Sequence, residues 1–320
     1  MTRILIHNSK TDQMAARLTE AVPDAQIATC DTYDDLPSLI RDFRPDVAYS
    51  ICFRGRAGFP RDALLGPDGP KWISVGGSGV DHLAGWDPEA VTVTNSAGVA
   101  APMMAEYVFG SILHFTLDIP GLQADRAERE WRDPRLMTPL EGKTMLIVGL
   151  GHTGQAVAAR AKAFGLHVIG TRARVQPMEN VDEVHPGDDL QSLWHRADFI
   201  VLSVPLLPTT RHMVNARSFA AMKPSAILVN VSRGGVLDDA ALVNAMRAGT
   251  IAGAALDVFE TEPLPFDSHV WGLENVIVSP HCSAVYAEWA MQSFELFIDN
   301  LRRWQNGETL KNIVNPVRGY

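Results

Sequence analysis

The chain has 320 residues, 46% hydrophobic and 20% charged, a balance suited to a globular protein of two domains. A formal net charge of −9 with no basic run excludes the footprint of a nucleic-acid binder, and no apolar stretch approaches the ~20 residues of a membrane span. The three cysteines, Cys30, Cys52 and Cys282, are too scattered for a disulfide framework or a metal site, and a reducing cytoplasm is the expected compartment.

The N-terminal MTRILIHNSK reads as a first strand rather than a signal peptide, which needs a longer apolar region. Strands are predicted at 4–7, 46–51, 71–75 and 91–94, and helices at 12–20 and 36–43. Strand and helix in alternation imply a parallel sheet covered on both faces. At Val99 the texture changes. The stretch 102–117 is mostly apolar with Pro102 at its start, where proline suits a first helical turn, and it predicts a buried helix. A charged segment follows at 123–135. The run 144–150 is apolar throughout but for Thr144 and Gly149, as in a strand buried on both faces. Alternation then resumes, with strands at 167–171, 199–203, 227–230, 253–257 and 276–279 and helices at 154–164, 189–196, 215–221 and 239–248. A last helix, 286–305, has no strand left to follow and is expected to return to the first unit. The class is α/β, with two doubly wound parallel sheets.

Gly149-Leu150-Gly151-His152-Thr153-Gly154 follows a strand and opens a helix. In that setting Gly149 permits the tight turn, Gly151 admits a pyrophosphate to the backbone, and Gly154 lets helix and strand approach. An NAD site usually carries an acid about 20 residues further on, for the ribose 2′-hydroxyl. Here Arg172 stands 18 residues beyond Gly154, between Thr171 and Ala173-Arg174. Guanidinium groups pair with a 2′-phosphate and an acid repels it, so NADP is expected in preference to NAD, with Thr171 as an added hydroxyl donor.

Three further segments end predicted strands, where open parallel sheets place their sites: 230–235, 257–263 and 279–284. They contribute Arg233, Glu262 and His281. Reducing a 2-keto acid calls for an arginine to hold carboxylate and ketone, a histidine to protonate the developing alkoxide, and a carboxylate to orient the histidine. Singly each residue has an ordinary structural explanation; together, after successive strands of one nucleotide-binding unit, they point to chemistry.

VNVSRGGVLD (229–238), ALDVFETEPLP (255–265) and VSPHCSA (278–284), with the glycine loop, resemble the D-isomer-specific 2-hydroxyacid dehydrogenases; Gly77–His82, Asn95 and Ala105-Glu106 extend the likeness across nearly the whole chain. The resemblance implies a Rossmann cofactor domain (99–286) inserted into a flavodoxin-like substrate domain (1–98 and 287–320). It implies an active site in the cleft, with hinges near 98–102 and 283–287. It casts Arg233 as the binder of carboxylate and carbonyl oxygen, His281 as acid/base in contact with substrate and cofactor, and Glu262 as its partner. The amides of Ser78 and Gly79 would take the substrate carboxylate. Asp257 and Ser283 would lie at the nicotinamide, Pro205 and Val231 along the cofactor groove, and His152 and Thr153 at the pyrophosphate. It also implies a homodimer through the cofactor domain. The basic residues after the second strand, and the tryptophan of Glu130-Trp131-Arg132, are most similar to the glyoxylate/hydroxypyruvate reductases.

Two positions depart from the family pattern. Cys282 follows the histidine, where a small packing role is expected. Met103-Met104 stand where relatives carry a small or hydroxylated residue near the nicotinamide. Alternatives are a dehydrogenase for another acid such as 3-phosphoglycerate, which the short tail after the last helix disfavours, and a non-catalytic NAD(P)-sensing corepressor, which the intact Arg233, Glu262 and His281 disfavour. Trp131 fits a partner's active site, a dimer interface or a core. Arg54 and Arg56 fit either an acid-selective cleft or a solvated loop.

Overall fold

The computed structural model describes residues 1–53 and 56–319. The chain divides into two compact units, Met1–Val99 with Tyr286–Tyr320, and Ala100–Val285.

The first unit holds strands β1 (Arg3–His7), β2 (Gln26–Cys30), β3 (Val47–Ser50), β4 (Trp72–Val75) and β5 (Thr92–Asn95), and helices α1 (Thr11–Ala21), α2 (Leu36–Phe43) and α3 (Arg61–Leu65). They form one parallel sheet in the order β2-β1-β3-β4-β5. Side chains alternate across a strand, so each face has its own core. Ile4, Ile6, Val47, Tyr49 and Trp72 face α1 and α10 (Trp289–Gln305), which supplies Phe294, Phe297, Ile298 and Leu301. Leu5, Ala48, Ile73 and Val93 face α2 and α3. The last helix therefore completes the first unit, as its lack of a following strand suggested. The strand β2, QIATC, was not predicted: it lies at the sheet edge and only Cys30 is buried, so no apolar alternation marks it.

The second unit has β6 (Thr144–Val148), β7 (His167–Thr171), β8 (Glu183–His185), β9 (Phe199–Leu202), β10 (Ile227–Asn230), β11 (Gly253–Leu256) and β12 (Val276–Val278). Its helices are α4 (Ala101–Thr116), α5 (Ile119–Glu128), α6 (His152–Ala163), α7 (Leu190–Leu193), α8 (Ala216–Ala221) and α9 (Asp239–Arg247). The sheet is parallel throughout, ordered β12-β11-β10-β9-β6-β7-β8. Met145 and Ile147 pack under α4 and α6, while Leu146 and Val148 pack under the elements from α7 to α9. Within α5 only Asp125 is buried, so that helix, held by the Asp118 cap on the Gly121 amide, shows no apolar stripe in a segment read only as charged. Among the described residues no helix is long and apolar enough to cross a membrane.

The strand order reverses between β6 and β9. Their following loops diverge there, opening the crevice in which doubly wound sheets bind their ligands.

Candidate active site

Two of the three loop glycines serve the fold. Gly149 has φ 102°, and a Cβ on it would lie 2.8 Å from the Ser203 carbonyl oxygen; one on Gly154 would lie 2.1 Å from the Gly149 carbonyl oxygen. Gly151 differs: a Cβ there would meet nothing within 4 Å, so its bareness keeps space open. No side chain caps α6, whose first turn is His152, Thr153 and Gly154. Amides in a first helical turn have no carbonyl of their own helix to bond, and the helix dipole adds positive potential. Exposed glycine, uncapped amides and dipole together fit a pyrophosphate. The Thr153 hydroxyl donates to Met104 Sδ at 3.6 Å, which gives the unusual methionine a place beside the loop.

At the end of β7, Thr171 corrects the expectation. It is 4% exposed, and its Oγ1 accepts the Gly149 N–H at 3.3 Å; it braces the glycine loop from beneath rather than facing a 2′-phosphate. Arg172 is half-buried, its amide bonded to the His185 carbonyl and its Nη1 3.2 Å from Met178 Sδ, while Arg174 is exposed. The Arg172 guanidinium thus rests on a thioether rather than on a carboxylate at this contact.

The loops after β10, β11 and β12 carry Arg233, Glu262 and His281. The turn into Arg233 is stiffened by the buried Asn230, whose Oδ1 accepts the Ser232 amide at 3.1 Å and the Ser232 hydroxyl at 2.6 Å. Arg233 Nη1 donates to the Ser232 carbonyl at 2.8 Å. His281 Nδ1 lies 2.8 Å from Glu262 Oε2, and Glu262 Oε1 accepts the Phe259 amide at 3.0 Å. A carboxylate accepts only, so Nδ1 carries a proton and Nε2 is the nitrogen left to exchange one. Burial would raise the Glu262 carboxyl; the hydrogen bonds from His281 and Phe259, with the charges of His281 and Arg233, outweigh it and hold the group below its usual value. Arg233, Glu262 and His281 therefore share one electrostatic neighbourhood.

His281 has φ 52°, a left-handed conformation that costs a non-glycine residue energy and persists only where its surroundings enforce it. The enforcing group is Asp257, 1% exposed. Its Oδ1 accepts the Ser279 hydroxyl at 2.6 Å and the Cys282 amide at 2.7 Å; its Oδ2 accepts the Ser283 amide at 3.0 Å. Asp257 and Ser283, expected at the nicotinamide, are thus engaged with each other, and Ser283 is 2% exposed. Cys282 is tied in through its backbone, with a free thiol. Val231 is 3% exposed and its amide bonds the Leu202 carbonyl, so its side chain belongs to the core rather than to a groove wall. Pro205 is partly exposed in the loop after β9, where its carbonyl accepts the Thr210 hydroxyl at 2.7 Å.

The sequence reading missed a brace behind Arg233. A Cβ on Gly234 would sit 1.8 Å from the Phe259 carbonyl carbon, so these two loops touch backbone to backbone. Beside that contact the Asp239 amide donates to Glu260 Oε1 at 3.2 Å and the Glu260 amide to Asp239 Oδ2 at 3.3 Å; His212 Nε2 is 3.1 Å from Glu260 Oε2. Burial first, then the charges of Glu260 and Asp238, push the Asp239 carboxyl up to about 6. The signal was the pair of acids in LDDA and FETE, each read only as part of a motif.

In the first unit the Gly77 carbonyl accepts the Ser96 amide at 2.9 Å, and the Ser78 carbonyl accepts Asn95 Nδ2 at 2.7 Å. A trans peptide points its N–H away from its C=O, so the amides of Ser78 and Gly79 face away from β5. Arg56 lies over the Phe53 ring, 5.4 Å from its centroid, and Arg54 lies outside the described residues. Trp131 is 95% exposed, which removes the core among its three expected roles.

The model of the D-isomer specific 2-hydroxyacid dehydrogenase NAD binding domain matches residues 109–283. A D-3-phosphoglycerate dehydrogenase of Methanocaldococcus jannaschii is 36% identical over 98% of this chain, which spans 60% of that enzyme's length. A glyoxylate reductase of Korarchaeum cryptofilum is 38% identical over 70% of the chain and 69% of its own. The crystal structure of an NADPH-dependent glyoxylate/hydroxypyruvate reductase from Sinorhizobium meliloti, with NADP and sulfate, superposes over all of this chain and all of that one, with a TM-score of 0.83 and 26% identity. On the matched domain, the relatives and the two-sheet fold, this chain belongs to the D-isomer-specific 2-hydroxyacid dehydrogenases.

Proposed function

We propose that the chain reduces a small 2-keto acid of the glyoxylate/hydroxypyruvate type to its D-2-hydroxy acid, using NADPH in preference to NADH. The observation that carries this reading is the His281–Glu262 pair at 2.8 Å, set on a left-handed residue beside Arg233. Bound on the α6 loop, the nicotinamide cofactor supplies the hydride. His281 Nε2 gives its proton to the oxygen that becomes the alcohol; Glu262 keeps the ring oriented and stabilises the imidazolium before transfer. Arg233 holds the carboxylate and polarises the ketone. The backbone amides of His152, Thr153 and Gly154 hold the pyrophosphate, and Asp257, Ser283 and Pro205 shape the nicotinamide end mainly by holding loops.

NADP preference rests on Arg172 and Arg174 where an acid would hold the ribose, and the Sinorhizobium enzyme with NADP bound supports it. The relative active on phosphoglycerate, matched over 98% of the chain, favours 3-phosphoglycerate as the second substrate reading. We further propose a homodimer through the second unit, in which a second copy covers Trp131, Leu136 and Met137, exposed at 95%, 89% and 48%. Three free cysteines suit a reducing cytoplasm. The test is kcat/KM for glyoxylate, hydroxypyruvate, pyruvate and phosphohydroxypyruvate with NADPH and with NADH. Highest values for the first two with NADPH support the reading; an NADH preference overturns the cofactor half, and phosphohydroxypyruvate as best substrate the other.

A further inference from the structure

Asp257 gathers the His281 loop, and one of its partners is Ser279, the residue through which that loop leaves β12. The Ser279 hydroxyl donates to Asp257 Oδ1 at 2.6 Å, since a carboxylate can only accept. Its oxygen is therefore the acceptor in its second contact, 2.8 Å from the phenol oxygen of Tyr107. The direction is fixed along the chain: Tyr107 O–H to Ser279 O–H to the Asp257 carboxylate. Such a chain polarises along its length, so each bond strengthens the next.

Tyr107 is well placed to act as the fixed end. It stands on α4, whose Ala105, Val108, Phe109 and Ile112 are buried against β6 and α6. Burial also raises its phenol above the ordinary value, so it stays protonated and donating. At the other end, the Ser279, Cys282 and Ser283 donors bracket His281, whose left-handed backbone needs outside support. We propose that Tyr107 is a positioning residue for His281, acting through Ser279 to hold the loop that presents the imidazole. The proposal rests on His281 being the acid/base.

The experiment compares Tyr107→Phe, Ser279→Ala and the double variant with the wild type and with His281→Ala, using NADPH and the best 2-keto acid of the panel. Tyr107→Phe removes one oxygen and keeps the ring. The expected result is a kcat about tenfold lower for either single variant, with NADPH affinity by fluorescence unchanged, because small displacements of an acid/base group cost rate rather than cofactor binding. The double variant should be no slower than Ser279→Ala, because the link from Tyr107 through Ser279 to Asp257 is already broken in the single variant. A Tyr107→Phe enzyme as fast as wild type overturns the proposal, as does a double variant slowed by the product of the single effects. Full turnover by His281→Ala overturns the acid/base reading itself, and this proposal with it. If Tyr107→Phe does not fold, Ser279→Ala decides alone: wild-type kcat overturns the proposal.

Discussion

Replacing Gly234 by alanine tests how closely the Arg233 and Glu262 loops must meet. The added methyl carbon would stand 1.8 Å from the Phe259 carbonyl carbon, 1.9 Å from its oxygen and 2.4 Å from the Glu260 nitrogen. Non-bonded carbon atoms settle near ~3.5 Å, so the loops must part by about 1.7 Å. All three obstructing atoms are backbone and cannot rotate aside. Overpacking of this kind costs about 1–3 kcal/mol, and a rigid neighbour puts Gly234→Ala at the upper end. In a unit of this size that lowers Tm by roughly 5–10 °C. The kinetic effect should be larger in proportion, because the displacement falls between Arg233 and the Glu262–His281 pair, and misplacement by about 1 Å can cost ~10²-fold. Differential scanning calorimetry and kcat/KM for the keto acid measure both. Wild-type melting and wild-type kcat/KM together would refute the backbone contact on which the reasoning depends.

The Arg172→Ala/Arg174→Ala variant should lose ~10–100-fold in kcat/KM with NADPH and little with NADH, read from steady-state rates with each cofactor, since one or two charge-assisted bonds to the phosphate disappear. Asp239→Asn bears on pH. With a folded value of about 6, above the unfolded one, Asp239 contributes stability that is full below pH ~4 and lost as pH rises through 6. The asparagine variant should therefore gain Tm over wild type at pH 8 and lose that gain at pH 4, measured by thermal melts across the range. Glu262→Gln keeps the size but not the charge; the pair is about one-third exposed, so ~5–30-fold in kcat is expected from stopped-flow or steady-state rates. Because the Glu262 carboxyl is held low, its contribution to stability is present above pH ~4.3 and lost as pH falls through its folded value, and the glutamine variant should lack that acid-side dependence in melts.

The buried strands were legible because they carry apolar residues at nearly every position, and β7 and β10 match the predicted bounds. The edge strands β2 and β8 were not, since QIATC and EVH expose much of their surface and give no periodic signal. Arg233, Glu262 and His281 could be found from type and position after strands, and the 2.8 Å contact between the last two follows. What the sequence could not show is direction. Thr171 and Val231 sit at the expected positions, yet both side chains turn into the interior, because a residue at a strand end points to alternate sides with each step. The supporting groups were invisible for another reason. Asp257 and Ser279 meet because β11 and β12 pair side by side, and Tyr107, far away in sequence, reaches them only through the packing of α4 against the sheet.

The most direct measurement is turnover of glyoxylate and hydroxypyruvate with NADPH by the wild type and by His281→Ala, alongside NADPH binding by fluorescence. The account predicts measurable reduction by the wild type, a loss of ~10²–10⁴-fold in kcat for the variant, and equal NADPH affinity in both. Reduction by His281→Ala at the wild-type rate would contradict it.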